Sequence, residues 1–229
     1  MNHFEKIKKK YALNNSYFKN RRYLDPATPL EVMEYFKQHN ELPFQYSGDN
    51  WVYDCYVEYQ KRAGVHNSQF FTPVATAQRI ADLANEWLEN EPRVLDACCG
   101  FGQLANPLVE KGFIVHGFDV SKEMVEMYRY NTSCICHQSH FNEFTEEYLN
   151  VVANPPYEVN ELTEFLIWLH GFMKERSTAI LLVPFGFFDK ERPKALIEVL
   201  SKFHVRYREE MTEDFARTKT HAEIVTIQK

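Results

Sequence analysis

Asn154-Pro155-Pro156-Tyr157 places an amide, two prolines and a phenol ring at the end of an apolar run, Leu149-Asn150-Val151-Val152-Ala153. The run reads as a short buried strand. Two successive prolines end it, because neither has a backbone N–H to give to a neighbouring strand. The result is a stiff loop presenting one amide and one aromatic ring, which suits a planar, nitrogen-bearing substrate. Taken alone, the tetrapeptide is equally an ordinary strand terminator. Two further groups of residues fall at strand ends. Asp96 closes Arg93-Val94-Leu95-Asp96 and is followed by Gly100 and Gly102, and glycines there let the backbone approach a ligand closely. Asp119 ends the next strand, 17 residues beyond Gly102, where a carboxylate can accept both hydroxyls of a ribose. A dinucleotide fingerprint would need a third glycine where Ala105 stands, and no Gly-Lys-Ser/Thr follows to make a P-loop. What survives is a nucleoside cofactor without a pyrophosphate.

The elements that must position these residues alternate. Ile80, Leu83, Ala84, Trp87 and Leu88 mark one face of a helix before the first strand. After the glycines, Leu104, Ala105, Leu108 and Val109 line a second helix, with Gly112 at its end. Phe113–Asp119 is a strand, Ser121 caps a helix holding Met124, Met127 and Tyr128, and Cys134–Cys136 and Asn150–Ala153 are strands. Leu162, Phe165, Leu166, Leu169, Phe172 and Met173 stripe a long helix, and Thr178–Val183 is a fifth strand. Residues 190–203 read as helix, and Phe203–Arg208 with Glu223–Ile227 as a closing antiparallel pair. This order predicts an α/β fold: an open, mostly parallel, seven-stranded Rossmann-like sheet with helices on both faces and an antiparallel edge strand. Ligands of such sheets bind outside the carboxyl ends of the strands.

Residues 1–68 differ in character. Residues 1–22 carry seven Lys and Arg against one Glu, a net of +6, which leaves −12 for the rest of a chain of net charge −6. A basic arm suits phosphate contacts or a solvated terminus. Thr28-Pro29-Leu30-Glu31 starts a helix running to about His39, and Trp51–Tyr59 is densely aromatic. We expect residues 1–68 to be a helical extension and residues 69–229 the main domain. The five cysteines, Cys55, Cys98, Cys99, Cys134 and Cys136, form no disulfide framework and no zinc spacing, so the expectation is a reducing cytoplasmic setting without a metal. No apolar run is long enough to span a bilayer, and no signal peptide is expected.

Val94-Leu95-Asp96-Ala97-Cys98-Cys99-Gly100-Phe101-Gly102-Gln103-Leu104 resembles the cofactor loop of class I S-adenosylmethionine-dependent methyltransferases. Asn154–Tyr157 resembles the catalytic loop of the amino-methyltransferases. Gln69-Phe70-Phe71-Thr72-Pro73 is similar to the Phe-x-Thr-Pro-type segment that precedes the cofactor loop in N6-adenine DNA methyltransferases of the gamma arrangement. The resemblance covers roughly residues 69–229. It implies S-adenosylmethionine as cofactor, bound by Phe71, Thr72, Pro73, Asp96, Ala97, Gly100, Gly102, Asp119 and Val120, with Phe141 packed on the adenine ring. The family often has a carboxylate before that phenylalanine, and His140 stands there instead.

It further implies that Asn154, Pro155, Pro156 and Tyr157 are catalytic. The Asn154 side-chain oxygen and the Pro155 carbonyl would each accept one N–H of an exocyclic amine and so free its lone pair for the sulfonium methyl. Tyr157 would stack on a base drawn out of its duplex, and Phe215 would be a second stacking aromatic or an ordinary core residue. The implied partner is nucleic acid, DNA first. RNA bases and a protein glutamine amide are alternatives, as is a non-catalytic cofactor-binding subunit of a larger complex. No C-terminal target-recognition domain of the kind the gamma arrangement has is expected after the last strand. Readout is therefore expected from residues 1–68 or from a partner subunit.

Overall fold

The computed structural model describes residues 38–39, 70–88, 91–189, 194–211, 215 and 220–229. The chain divides into two units, Met1–Asn67 and Ser68–Lys229. Of the first, only Gln38 and His39 are described, and both are helical. The basic arm, the start of the helix expected from Thr28 and the aromatic stretch 51–59 lie outside the described residues.

The second unit runs α1 (Val74–Trp87), β1 (Arg93–Ala97), α2 (Ala105–Glu110), β2 (Ile114–Asp119), α3 (Lys122–Thr132), β3 (Ile135–Gln138), a 3-10 turn (Phe141–Glu143), β4 (Asn150–Ala153), α4 (Val159–Phe172), β5 (Thr178–Pro184), α5 (Lys194–Leu200), β6 (His204–Glu210) and β7 (Ala222–Gln228). The seven strands form one sheet in the order β3-β2-β1-β4-β5-β7-β6. The first five are parallel. The antiparallel element of the far edge is β7, which inserts between β5 and β6 and bonds to both.

Side chains of successive strand residues point to opposite faces, and the core follows that alternation. Val94, Val152, Ile180 and Leu182 pack with Ile80 and Leu83 of α1 and Leu108 of α2. Leu95, Val151, Leu181 and Val183 pack on the other face with Leu162, Phe165, Leu166 and Leu169 of α4. Covered on both sides, β4 is buried throughout and β5 in all but its last residue. That is why these segments read as continuous apolar runs. Edge strand β6, by contrast, is largely exposed.

Local signals set the helix ends. The Ser121 hydroxyl accepts the Met124 N–H at 3.4 Å, as its cap position predicts. Ser133, in the left-handed region at φ 56°, ends α3. α1 begins directly behind Pro73, which has no N–H to leave unsatisfied. The chain leaves β1 for β2 and β3 on one side, then returns to β4 on the other side of β1. The carboxyl ends of β1 and β4 therefore flank the point where strand order reverses.

Candidate active site

The β1–α2 loop forms one half of the crevice. Cys98, Gly100 and Gly102 all have positive φ, at 57°, 52° and 85°. At Gly102 a Cβ would lie 2.3 Å from the Thr132 methyl and 3.1 Å from the Tyr128 ring, so α3 closes on this loop only because the residue is glycine. Gly100 donates its N–H to Asp119 Oδ2 at 3.1 Å, and Ser121 donates to Oδ1 at 2.9 Å. One carboxylate thus ties the glycine loop to the start of α3. Burial pushes the Asp119 carboxyl up, against the pull of those backbone donors. Phe71 lies flat on Phe101, with ring centroids 4.9 Å apart and planes 3° from parallel, and it is the neighbour a Cβ on Gly100 would meet at 3.7 Å.

Asp96 lies beneath this loop and is sealed from solvent, with neither carboxylate oxygen hydrogen-bonded. Burial, and secondarily the charge of Asp119, push its carboxyl well above the usual carboxylate range. A buried ionised carboxylate is very costly without a partner. The position therefore calls for a proton or for a cation.

The second half is Asn154–Tyr157 at the end of β4. Asn154 donates its Nδ2 hydrogens to the Phe70 carbonyl at 2.6 Å and to Thr72 Oγ1 at 3.1 Å, across 84 and 82 residues of chain. Both hydrogens are used, while Oδ1 is buried with no partner. The Phe-Phe-Thr-Pro segment therefore fixes the amide and leaves its acceptor free. The Tyr157 ring sits among Phe70, at 5.1 Å, and Phe215, at 5.7 Å edge-to-face. Its hydroxyl is buried and unpartnered, and burial raises its pKa well above the ordinary phenol value.

Other expected residues fall differently. Val120 is 63% exposed at the end of β2, open to a ligand beside Asp119. Thr72 and Pro73 are buried and serve Asn154 and the start of α1. Pro155 is buried and Pro156 half-buried within the loop. Ala97 is buried on the α4 face, opposite Asp96. Phe141 also turns to that face and meets Phe165 at 5.7 Å and Trp168 at 5.8 Å, packed among the residues of that core. The half-buried His140 lies over Phe141 at 4.2 Å, with its Nδ1 accepting the Asn142 N–H at 3.3 Å. Phe215 is buried and packs directly on Tyr157, which makes it a supporting residue and not the far side of an open slot. Phe70 and Phe101 are contributors that sequence reasoning missed. The only signal was their placement next to Phe71 and Gly100, and neither the backbone acceptor nor the ring contact is written in a residue type. Among the described residues no group of three His, Cys, Asp or Glu could hold a metal ion, and no helix is long and apolar enough to cross a membrane.

No family model and no curated protein matches the chain. Among solved structures it is similar to a candidate RNA methyltransferase from Pyrococcus horikoshii, at 21% identity and TM-score 0.59 over 70% of this chain and 85% of that one. It is similar to a candidate class I S-adenosylmethionine-dependent methyltransferase from Listeria monocytogenes, at 13% identity and TM-score 0.61 over 99% and 78%. A third is magnesium protoporphyrin IX methyltransferase from Synechocystis, crystallised with S-adenosylmethionine, at 19% identity and TM-score 0.51 over 92% and 100%. At such identities the likeness is one of fold, and that fold is the Rossmann-like sheet of the class I methyltransferases.

Proposed function

We propose that the protein transfers a methyl group from S-adenosylmethionine to an exocyclic amine, with N6 of adenine in DNA as the first choice. The observation that carries this reading is the state of Asn154: both of its N–H groups are engaged by the chain, and its Oδ1 is buried and unpartnered. A buried lone acceptor of this kind calls for a hydrogen-bond donor. An adenine amine is one.

The residues of the other half fit the cofactor. The unpaired Asp96 carboxylate suits an ammonium, although the wall that seals it must open for direct contact. Asp119 keeps acceptor capacity on both oxygens for ribose hydroxyls, and Gly100 and Gly102 keep side chains out of the loop. Val120 and the Phe71 ring offer apolar walls beside them. When bound, S-adenosylmethionine supplies an electrophilic methyl on a sulfonium, whose C–S electrons leave with the sulfur as the amine lone pair forms the new C–N bond.

The chain's own part is positional and electrostatic. Asn154 Oδ1 and the Pro155 carbonyl accept the two amine hydrogens, which draws the nitrogen lone pair out of conjugation and aims it across the crevice. The two prolines keep the loop from yielding. No strong base is required, because the methylated nitrogen is acidic and gives its proton to solvent. Tyr157 holds the base by stacking, and this exchanges one contact for another. An edge-to-face ring pair is worth about 0.5–1.5 kcal/mol, and base–aromatic stacking about 1–3 kcal/mol. The stacking gained offsets the lost Tyr157–Phe215 contact and part of the few kcal/mol that unstacking a base from its duplex costs.

A second reading is methylation of an adenine in RNA, favoured by the fold likeness to a candidate RNA methyltransferase. Residues 1–68, with their basic arm, or a partner subunit would supply target selection. Labelled S-adenosylmethionine offered with duplex DNA, single-stranded DNA, ribosomal RNA and a protein extract separates the possibilities. N6-methyladenine in a DNA digest is the expected product. Label appearing only in RNA replaces the first reading with the second, and label only in protein removes both.

A further inference from the structure

We infer that Tyr128 of α3 is a positioning residue for Asp96, its hydroxyl serving as the donor that steadies the carboxylate when a cationic ligand draws it into the ionised form. The inference rests on the cofactor reading above and deepens it. Tyr128 and Asp96 are both fully buried, and the phenol oxygen and both carboxylate oxygens lack a hydrogen-bond partner. Burying an unpaired hydroxyl is costly, and a phenylalanine would fill the same space without that cost. The oxygen therefore calls for a role other than packing.

Two glycines make room for this ring. A Cβ on Gly102, in the glycine loop, would lie 3.1 Å from Tyr128 Cδ2. A Cβ on Gly117, in β2, would lie 2.7 Å from Tyr128 Cζ, the carbon that bears the hydroxyl. The positive φ of Gly102 already asks for glycine, but Gly117 stands inside a strand, where glycine weakens the pairing. Its service there is steric: it lets the phenol end of Tyr128 come down onto the sheet. Register then fixes what that end meets. Gly117 pairs with Asp96 of the adjacent β1, so the two positions share a face and stand about 4.8 Å apart. A carboxylate that turns toward β2 brings its oxygens to the hydroxyl.

The neighbouring groups leave this task to Tyr128. On its other side Asp96 pairs with Val152 of β4, whose side chain has nothing to donate. The next residue on that face, Asn154, has both of its N–H groups engaged. Asp119 acts on Asp96 from the end of β2 and disfavours its ionised form. Cys99, Cys134 and Cys136 act on the Tyr128 ring, with the Cys99 and Cys136 sulfurs 3.5 Å apart, and a thiol is only a weak donor. Burial, and then the charge of Asp96, push the Tyr128 phenol well above its ordinary value, so it keeps its proton and remains a donor. A hydrogen bond to the ionised form lowers a carboxyl pKa. The phenol therefore opposes what burial does to Asp96 and makes the carboxylate easier for a cation to call up.

Two measurements on the full chain compare the wild type with Tyr128→Phe, which keeps the ring and removes the oxygen. The first follows the Asp96 carboxyl carbon by NMR across pH, with Asp96→Asn to assign its signal. Loss of the hydroxyl donor is expected to raise that titration by about one pH unit, the scale of a hydrogen bond to a charged group. The second is calorimetric binding of S-adenosylhomocysteine, which carries the ammonium group, and of methylthioadenosine, which lacks it. At pH below the Asp96 titration, Tyr128→Phe is expected to bind S-adenosylhomocysteine about tenfold more weakly, the same shift read as an affinity. The difference closes as pH rises past that titration, and methylthioadenosine binds both proteins alike. An unmoved Asp96 titration overturns the positioning role. So does an equal loss of affinity for the two ligands, which would make the ring a packing element of the loop and nothing more. If the wild type binds neither ligand, the cofactor reading fails, and the carboxyl titration alone decides whether the hydroxyl serves Asp96.

Discussion

Both halves of the site leave buried polar groups without a partner, and the two at the strand ends differ in kind. On the β1–β2 side it is a carboxylate, Asp96, and on the β4 side it is an amide oxygen, Asn154 Oδ1. A buried carboxylate without a partner shifts toward its protonated form or awaits a cation. A buried amide oxygen does not titrate and awaits only an N–H. The nearby Asp119 shows that the fold can satisfy a carboxylate when it needs to, with two backbone donors at 3.1 and 2.9 Å. In the reading proposed above, Asp96 belongs to the half that takes a cationic ligand and Asn154 to the half that takes an amine.

The largest expected effect falls on the amine half. Asn154→Ala removes the free acceptor and also leaves the Phe70 carbonyl and the Thr72 hydroxyl without their donor. If the amide acts on the reacting nitrogen, kcat falls about 10²- to 10³-fold, as for loss of a positioned polar group that stabilises a transition state. Affinity for S-adenosylmethionine should hold within about threefold. Equilibrium dialysis with single-turnover kinetics separates the two terms. A drop in cofactor affinity as large as the drop in rate would erase the division between the halves.

Asp96→Asn strikes the other half. It keeps the shape and removes the charge, so the expected loss is about 10- to 100-fold in cofactor affinity, with a smaller change in kcat. Its pH signature is more telling. The folded, ligand-free protein holds the Asp96 proton more tightly than the unfolded chain does, because burial raises that carboxyl. Folding stability from this group is therefore fully present at low pH, below the ordinary carboxylate range, and declines as pH rises from there toward the raised folded value. A cationic ligand favours the ionised form, so cofactor affinity should strengthen with pH over the same window. In Asp96→Asn the Asp96 share of both slopes disappears, while that of the buried Asp119 stays, and at neutral pH the ligand-free variant melts about 2–4 °C higher for each kcal/mol of relieved burial. Calorimetry across pH, with and without cofactor, reads both slopes. A wild-type affinity independent of pH would show that no cation reaches Asp96.

Thr72→Val probes how the amine half is held. It removes one of the two acceptors of Asn154 Nδ2 and leaves the Phe70 carbonyl at 2.6 Å in place. The amide then loses about 1 kcal/mol of orienting hydrogen bond, which corresponds to a fall of about three- to tenfold in kcat. Thr72→Ser, which keeps the hydroxyl, should recover most of it. If Thr72 instead touches the cofactor directly, the loss will appear in cofactor affinity.

How much of this the sequence disclosed follows from what each feature depends on. Strands β1, β2, β4 and β5 were legible because a sheet covered on both faces needs apolar runs, and the stops at Asp119 and at Pro155-Pro156 are chemical. Asp119 was legible as a strand-end carboxylate, and its tie to the glycine loop only completes that reading. The packing of Phe141 on Phe165 and Trp168 was not legible, because side-chain direction is not periodic once a strand has ended. Phe215 could be core or platform by residue type, and only its contact with Tyr157 decided. The clamp on Asn154 joins residues more than 80 positions apart through a backbone carbonyl, which no residue type announces. The unpaired state of Asp96 was equally hidden, since an absent partner leaves no trace in a sequence.

The smallest expected effect belongs to Tyr157→Phe. The phenol hydroxyl is buried and unpartnered, so removing it relieves a desolvation cost, and the variant should be as stable as the wild type or slightly more so. Stacking depends on the ring, which stays in its place between Phe70 and Phe215. Methyl transfer should therefore remain within about threefold of wild type, while Tyr157→Ala, which removes the ring, weakens nucleic-acid binding by about 1–3 kcal/mol. Beside Asn154 Oδ1, the hydroxyl is the other unpartnered polar atom of the amine half. If Tyr157→Phe loses activity as heavily as Tyr157→Ala, the oxygen must hydrogen-bond the substrate. The amine half would then offer two polar contacts, and Asn154 would not act alone in choosing a neutral amine.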